Sequence, residues 1–196
     1  MSWSTWISRA FLHVADDRKV SSLAGYFAAL SPEQRDGITA IAMDMWEPYR
    51  KTVRAHVPDA DAKIVFDKFH IVQHVGTAVD AVRKHEPKAL LAVGDMTLSH
   101  TNYDWLTNPA NFSAKAWREF AALRNSTLQS ARAWALKESL RRLWDYTYIG
   151  AAHTFFRGWY GWVMRSRLEP MKNVARMLNA HLENILTYPT HRPRLS

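Results

Sequence analysis

"ITAIAMDMW" (residues 38–46) is a short apolar run that ends on a carboxylate, Asp44, with a tryptophan two places on. "AKIVFDKFH" (residues 62–70) repeats the arrangement and ends its apolar run on Asp67. Runs this short and this apolar read as strands covered on both faces. Between them, "WEPYRKTVRAHV" reads as a helix with Pro48 in its first turn, where the missing N–H matters little. "FHIVQHVGTAVDAVRKH" is the next helix. Upstream, "RAFLHVADD" reads as a strand, and "KVSSLAGYFAALS" as a helix with Leu23, Phe27 and Leu30 at helical spacing. Strand and helix in alternation are the grammar of a parallel sheet covered by helices. Right-handed crossovers then place Asp44 and Asp67 on one edge, the C-terminal edge of the sheet. Functional groups of open α/β sheets gather there.

Two roles are open to such acids. A strand-end aspartate can cap the helix that follows it. It can also hold a hard divalent cation such as magnesium, which takes oxygen ligands and keeps several waters. Two such ions about 4 Å apart would activate an attacking oxygen and stabilise the leaving one in phosphodiester cleavage. A site of that kind needs at least two further carboxylates from elsewhere in the fold. Spacing alone leaves Asp44 between the two roles.

The strand grammar stops near residue 86. Residues 86–112 are ambiguous, with "TNPANFS" a loop leading to a Ser113 cap. "SAKAWREFAALR" follows as a helix that Asn125 breaks. "STLQSARAWALKESLRRLWDYTY" puts Leu136, Leu140 and Leu143 on one stripe, with Glu138 placed to pair with Arg142. Gly150 ends or bends that helix. The next helix carries Phe155, Trp159 and Val163 on one face. Pro170 then opens a helix with Val174, Leu178 and Leu182 in register. The expected architecture is α/β over residues 1–86 and all-helical over 87–196, helix-dominated overall.

Charge divides the chain in a similar place. Residues 1–112 carry a net charge of −1, and residues 113–196 carry +9. A half this basic attracts a polyanion through counterion release, or is simply a solvated helical surface. Arg132, Lys137, Arg141, Arg142, Arg165 and Arg167 are the candidates for phosphate contacts. Trp134, Trp144 and Trp159 read as core, and Trp162 as facing outward. The chain has no cysteine, which excludes disulfides and thiolate metal sites. No apolar run approaches the roughly 20 residues needed to cross a bilayer. The opening residues lack a signal-peptide pattern. The expectation is a soluble cytoplasmic protein.

Residues 40–75, "AIAMDMWEPYRKTVRAHVPDADAKIVFDKFHIVQHV", resemble the central region of bacterial insertion-sequence transposases of the ISL-three group of DDE enzymes. Residues 127–192, "TLQSARAWALKESLRRLWDYTY" through "YPTHR", resemble the later helical segment of the same group. The likeness runs from about residue 10 to residue 192. It implies a ribonuclease H-like catalytic domain with three metal-binding acids, magnesium as cofactor and DNA as partner. Asp44 matches the second acid, and so is the expected catalytic and metal-binding residue. Asp67 and His70 match a "D-x-F-H" element, expected to support the site; a helix-start histidine bonded to its neighbours is the plainer reading of His70. The first acid belongs on a strand upstream of this chain. The last belongs to an "S-E-G" stretch that "THRPRLS" does not supply; Asp16, Asp17, Glu169 and Glu183 match neither. The resemblance therefore implies a truncated, inactive fragment. The alternative is a non-catalytic protein that binds DNA, full-length transposase or itself through its basic half.

Overall fold

The computed structural model describes residues 6–7, 10–11, 19–98, 101 and 103–186. It divides into two compact units, residues 1–70 with 182–196, and residues 71–181.

The first unit is organised by the two Asp-terminated runs. β1 (Trp6–Ile7) and β2 (Ala10–Phe11) form a small antiparallel ladder. α1 (Val20–Ala29) buries Leu23 and Phe27. α2 (Pro32–Asp36) starts from a reciprocal cap, in which Ser31 Oγ accepts the Gln34 N–H and the Gln34 side chain accepts the Ser31 N–H. β3 (Ile41–Met43), α3 (Glu47–His56), the single turn α4 (Ala60–Lys63) and β4 (Ile64–Phe66) follow. β3 and β4 pair in parallel, with Ile41 opposite Ile64, Ala42 opposite Val65 and Met43 opposite Phe66. The expected parallel pairing is present.

Two details differ from the sequence reading. Residues 62–63 belong to a helical turn, because Asp59, in the left-handed region at φ 53°, starts α4 and delays β4 by two residues. The strand expected at "RAFLHVADD" is described only at Ala10–Phe11, where it pairs with β1 and not with β3. The remainder of that stretch, Asp16 and Asp17 included, lies outside the described residues, as does "THRPRLS".

A two-stranded sheet is not stable alone, so its cover matters. β4 is buried at all three positions. α11 (Leu182–Leu186) returns to pack on β4, and Asn184 Nδ2 donates to the carbonyls of Asp61 (2.7 Å) and Ile64 (3.0 Å). α1 packs on α3, and Phe27 lies 6.1 Å from the His56 ring.

The second unit is helical. α5 (Lys68–Leu91) begins in the first unit and buries Ile71, Val75, Val79, Val82 and Glu86 along one stripe. α6 (Ala114–Glu119) starts from the expected Ser113 cap, and α7 (Ala121–Arg124) ends at Asn125. α8 (Gln129–Leu140) runs into a tight 3₁₀ segment, Arg141–Asp145. α9 (Ile149–Arg165) and α10 (Glu169–Ala180) complete the unit. α8 packs on α9, and α9 on α10. Trp159 Nε1 donates to the Leu136 carbonyl at 2.9 Å, which locks α9 to α8.

Leu136, Leu140 and Leu143 are buried together, and Trp144 and Trp159 are core. Trp134 packs on Phe120 at 5.5 Å. Trp162 is exposed. Elsewhere the sequence reading shifts by one position. Phe156, not Phe155, joins Trp159 and Val163 in the core. Met171 and Ala175 join Leu178, while Val174 and Leu182 are half-buried. Gly150 sits in the first turn of α9, because the preceding helix has already ended in the 3₁₀ segment.

Candidate functional site

Register decides the geometry at the sheet edge. Met43 and Phe66 are the last paired residues, so Asp44 and Asp67 leave adjacent strands side by side. The Asp67 N–H extends the ladder by donating to the Met43 carbonyl at 3.0 Å. Adjacent strands lie about 4.8 Å apart, so both carboxylates belong to one small region.

Each acid also binds its own backbone. Asp44 Oδ1 accepts the N–H of Trp46 at 3.1 Å, and Asp67 Oδ1 accepts the N–H of Phe69 at 2.9 Å. Asp67 stands immediately before α5, so its bond is a helix cap. Asp44 makes the same two-residue turn onto Trp46, which leads into α3. His70 Nε2 is 4.0 Å from Asp67 Oδ2, too long for a hydrogen bond, and its ring is edge-on to Phe69.

Magnesium is commonly held by one or two carboxylates plus waters and substrate phosphates, and Asp44 and Asp67 supply two carboxylates at this edge. They do not fit a two-ion centre. Among the described residues no group of three or more His, Asp or Glu side chains comes together.

The candidate phosphate-binding residues separate in the second unit. Arg132 donates to the Ser166 carbonyl, at the end of α9. Arg165 lies against the backbone of Gly161 one turn earlier. Arg165 and Arg167 are both exposed, and Arg167 has a left-handed backbone at φ 62°. Arg141 and exposed Arg142 sit at the far end of α8, about 13 Å along its axis from Arg132. Glu138 pairs with Lys137 (3.1 Å) and Arg141 (3.6 Å), rather than with Arg142. The cause is the 3₁₀ segment, which winds Arg142 off the α-helical spacing.

Lys137 is a correction to the phosphate-binding set. It is buried, at 5% exposure, and its ammonium donates to the Trp105 carbonyl at 2.9 Å. Burial pushes its pKa below the ordinary lysine range, against the opposing pull of Glu138. Leu136 and Leu140 carry this side of α8 inward, and Lys137 goes with them.

The sequence profile of the ISL3 DDE transposases, described as "Transposase", matches residues 3–196. The chain belongs to this transposase family. It is 27% identical over 188 residues to the transposase for insertion sequence element IS1001 of Bordetella parapertussis, which covers 94% of this chain and 46% of that protein. The chain thus spans about half the length of the curated relative it matches. No solved structure matches it significantly. Among the described residues, no helix of this transposase-family chain is long and apolar enough to cross a membrane.

Two residues at the sheet edge were noted in the sequence of this family member but given no role of their own. Trp46 and Phe69 are exposed at 47% and 61%, directly beside the acids. Their signal was the shared spacing, acid then any residue then aromatic.

Proposed function

We propose that the chain supplies the central part of a ribonuclease H-like DDE core, in which Asp44 is a metal-binding catalytic acid. The supporting observation is the parallel pairing that sets Asp44 and Asp67 at one sheet edge, together with the family match over residues 3–196. In this reading residues 1–86 belong to the catalytic core, with Asp67 fixing the strand end and His70 beside it. Residues 87–196 are a basic helical segment that lies on DNA through Arg132, Arg141, Arg142, Arg165 and Arg167. A magnesium ion held by Asp44, with Asp67 adjacent, would supply Lewis-acid stabilisation of phosphate oxygens. Asp44 and Asp67 alone leave most ligand positions of such an ion to water, so this chain by itself does not cut or join DNA. Full activity needs carboxylates beyond those gathered here, and full-length transposase or a second copy is the partner that would bring them.

The test is a nicking and strand-joining assay on transposon-end duplex with magnesium or manganese. The expected result is intact DNA. Metal-dependent nicking abolished by Asp44→Asn would overturn the inactivity and establish Asp44 as catalytic at once.

A second reading, a DNA-binding protein without chemistry, draws on the +9 charge of residues 113–196. It differs from the first in one respect: Asp44→Asn would leave metal binding unchanged, which isothermal titration with manganese measures.

A further inference from the structure

We infer that the chain binds a second copy of itself head to tail, with the apolar loop around Tyr103 of one copy seated in an aromatic groove on α9 of the next. A second copy is named above as a partner, and the surfaces assigned here are the ones that would meet.

The groove lies within the helical unit, between the end of α8 and α9. Ser139, Tyr146, Phe155 and Trp162 line it, and its volume is about 700 Å³. That is in the range of sites that enclose an organic ligand or side chains of similar size. Gly150 and Gly158 line it as well, and a β-carbon on either would meet nothing within 4 Å. Open space therefore lies directly over the backbone, beside an indole that stays 44% exposed.

The loop between α5 and α6 carries the other apolar surface of this unit. Five large apolar side chains from Leu91 to Leu106 are exposed, Val93, Met96 and Tyr103 most of all. Single exposed apolar side chains are ordinary, but this density in one loop marks an interaction surface.

Charge selects the occupant. From Ser139 to Arg165 the chain carries four arginines and one acid, Asp145, a net of +3. Arg142 is exposed and lies in the chain between two lining residues, Ser139 and Tyr146, while Arg165 lies against Gly161 next to Trp162. Glu138, beside Ser139, is already engaged by Lys137 and Arg141. The loop is the opposite case. Between Lys88 and Lys115 it holds Asp95 and Asp104 and neither lysine nor arginine, a net of −2. Apolar basic groove and apolar acidic loop are complementary in both respects. A nucleic-acid strand would suit the arginines but leave the loop bare.

One copy cannot fill its own groove. The loop is held to α8 by Lys137, whose ammonium donates to the Trp105 carbonyl. Ser139, in the groove, comes two residues later, about 200° further around the helix. Loop and groove thus stand on opposite sides of α8 and meet only between copies. Two different patches in contact leave one loop and one groove free at the ends, so the contact can repeat.

The test follows the full chain, without DNA, by sedimentation velocity from about 1 to 100 µM. The mass is expected to rise past that of a dimer with concentration, and to rise less at high salt, because the charges are exposed. Gly158→Leu fills the groove where there is room for the side chain. Tyr103→Ala blunts the loop at a solvated position. Each should weaken association about tenfold. Mixing the two variants should restore a dimer that grows no further, since one intact loop and one intact groove remain between them; misfolded variants would not recover in this way. A parent chain that stays monomeric overturns the inference, as does a mixture that fails to recover. A Gly158→Leu protein that associates like the parent overturns it too, and if that variant also loses affinity for a single-stranded oligonucleotide, the groove belongs to nucleic acid. All three results leave the catalytic reading standing, because nicking is measured separately.

Discussion

The Glu86 carboxylate holds the first turn of a helix that starts 43 residues later, and Ser130 is its main partner. Glu86 Oε2 accepts both the Ser130 N–H at 2.7 Å and the Ser130 hydroxyl at 2.6 Å, while Oε1 accepts the Gln129 N–H at 2.5 Å. Helix starts leave unbonded N–H groups that need an acceptor, and the helix dipole favours a negative one. Leu128, the residue at the cap position, has no side-chain oxygen to offer. A distant glutamate performs the task instead, at 8% exposure. Charge-assisted bonds at a buried site contribute about 1.5–3 kcal/mol each when broken singly. Glu86→Ala should therefore lower unfolding stability by about 3 kcal/mol, measured by urea denaturation. Glu86→Gln, which keeps one carbonyl acceptor, should lose about half as much. An alanine variant within 0.5 kcal/mol of the parent, as an order-of-magnitude threshold, would mean that the α5–α8 tie is incidental.

In the proposed reading Asp44 carries two separable duties, the turn onto Trp46 and a metal ion, and the choice of replacement tells them apart. Asparagine keeps an oxygen for the Trp46 N–H, whereas alanine removes it. Asp44→Asn should melt within about 0.5 kcal/mol of the parent, and Asp44→Ala should lose about 1 kcal/mol. Both should abolish manganese binding. Equal melting of all three proteins would show that the turn contributes nothing to the fold.

Arg141 and Arg142 test the electrostatic footprint. Each phosphate neutralised steepens the slope of log affinity against log salt by about 0.9. Changing both to alanine should flatten the slope on duplex DNA by up to about two. An unchanged slope would show that neither Arg141 nor Arg142 neutralises a phosphate.

Lys137 makes stability depend on alkaline pH. Its folded pKa lies below its unfolded one, chiefly because burial disfavours the ammonium. Between those two values the unfolded chain binds more protons, so this residue's contribution to stability rises as pH climbs through that window. Lys137→Met removes the titrating group. The parent should gain stability relative to the variant as the pH approaches the ordinary lysine range from below, as followed by thermal melting. A difference that stays flat across that range would show that Lys137 titrates alike in both states.

Much of the first unit was legible because its signals are local. The runs ending at Asp44 and Asp67 are short, apolar and bounded by helix starts, which suffices to read two parallel strands and their shared edge. The position of Lys137 was not legible. A lysine at that place in α8 lies between two leucine turns, and the carbonyl of Trp105, 32 residues upstream, together with the Glu138 carboxylate makes its burial tolerable. The Asn184 tie to β4 was hidden for the same reason, since it spans 120 residues of chain. Periodicity did no better with Phe155 and Phe156. Adjacent phenylalanines satisfy one helical stripe almost equally, and packing against α8 chooses between them. The candidate acids could be named from sequence, but their bonds to the backbone of Trp46 and Phe69 depend on side-chain direction, which spacing does not encode.

The turns at Asp44 and Asp67 have a consequence for selectivity. A free carboxylate swings about two torsions and adapts its reach to whatever cation arrives. Here one oxygen of each is anchored to the chain that follows, so the side-chain direction is set before any ion approaches. Less rotational freedom remains to be lost on binding. The same anchoring prevents the pair from spreading to wrap a larger ion. Calcium takes six to eight oxygens at 2.3–2.6 Å, whereas magnesium is content with few protein ligands at 2.0–2.1 Å. Under the proposed metal-binding role of Asp44, an edge built in this way would favour the smaller ion through stiffness.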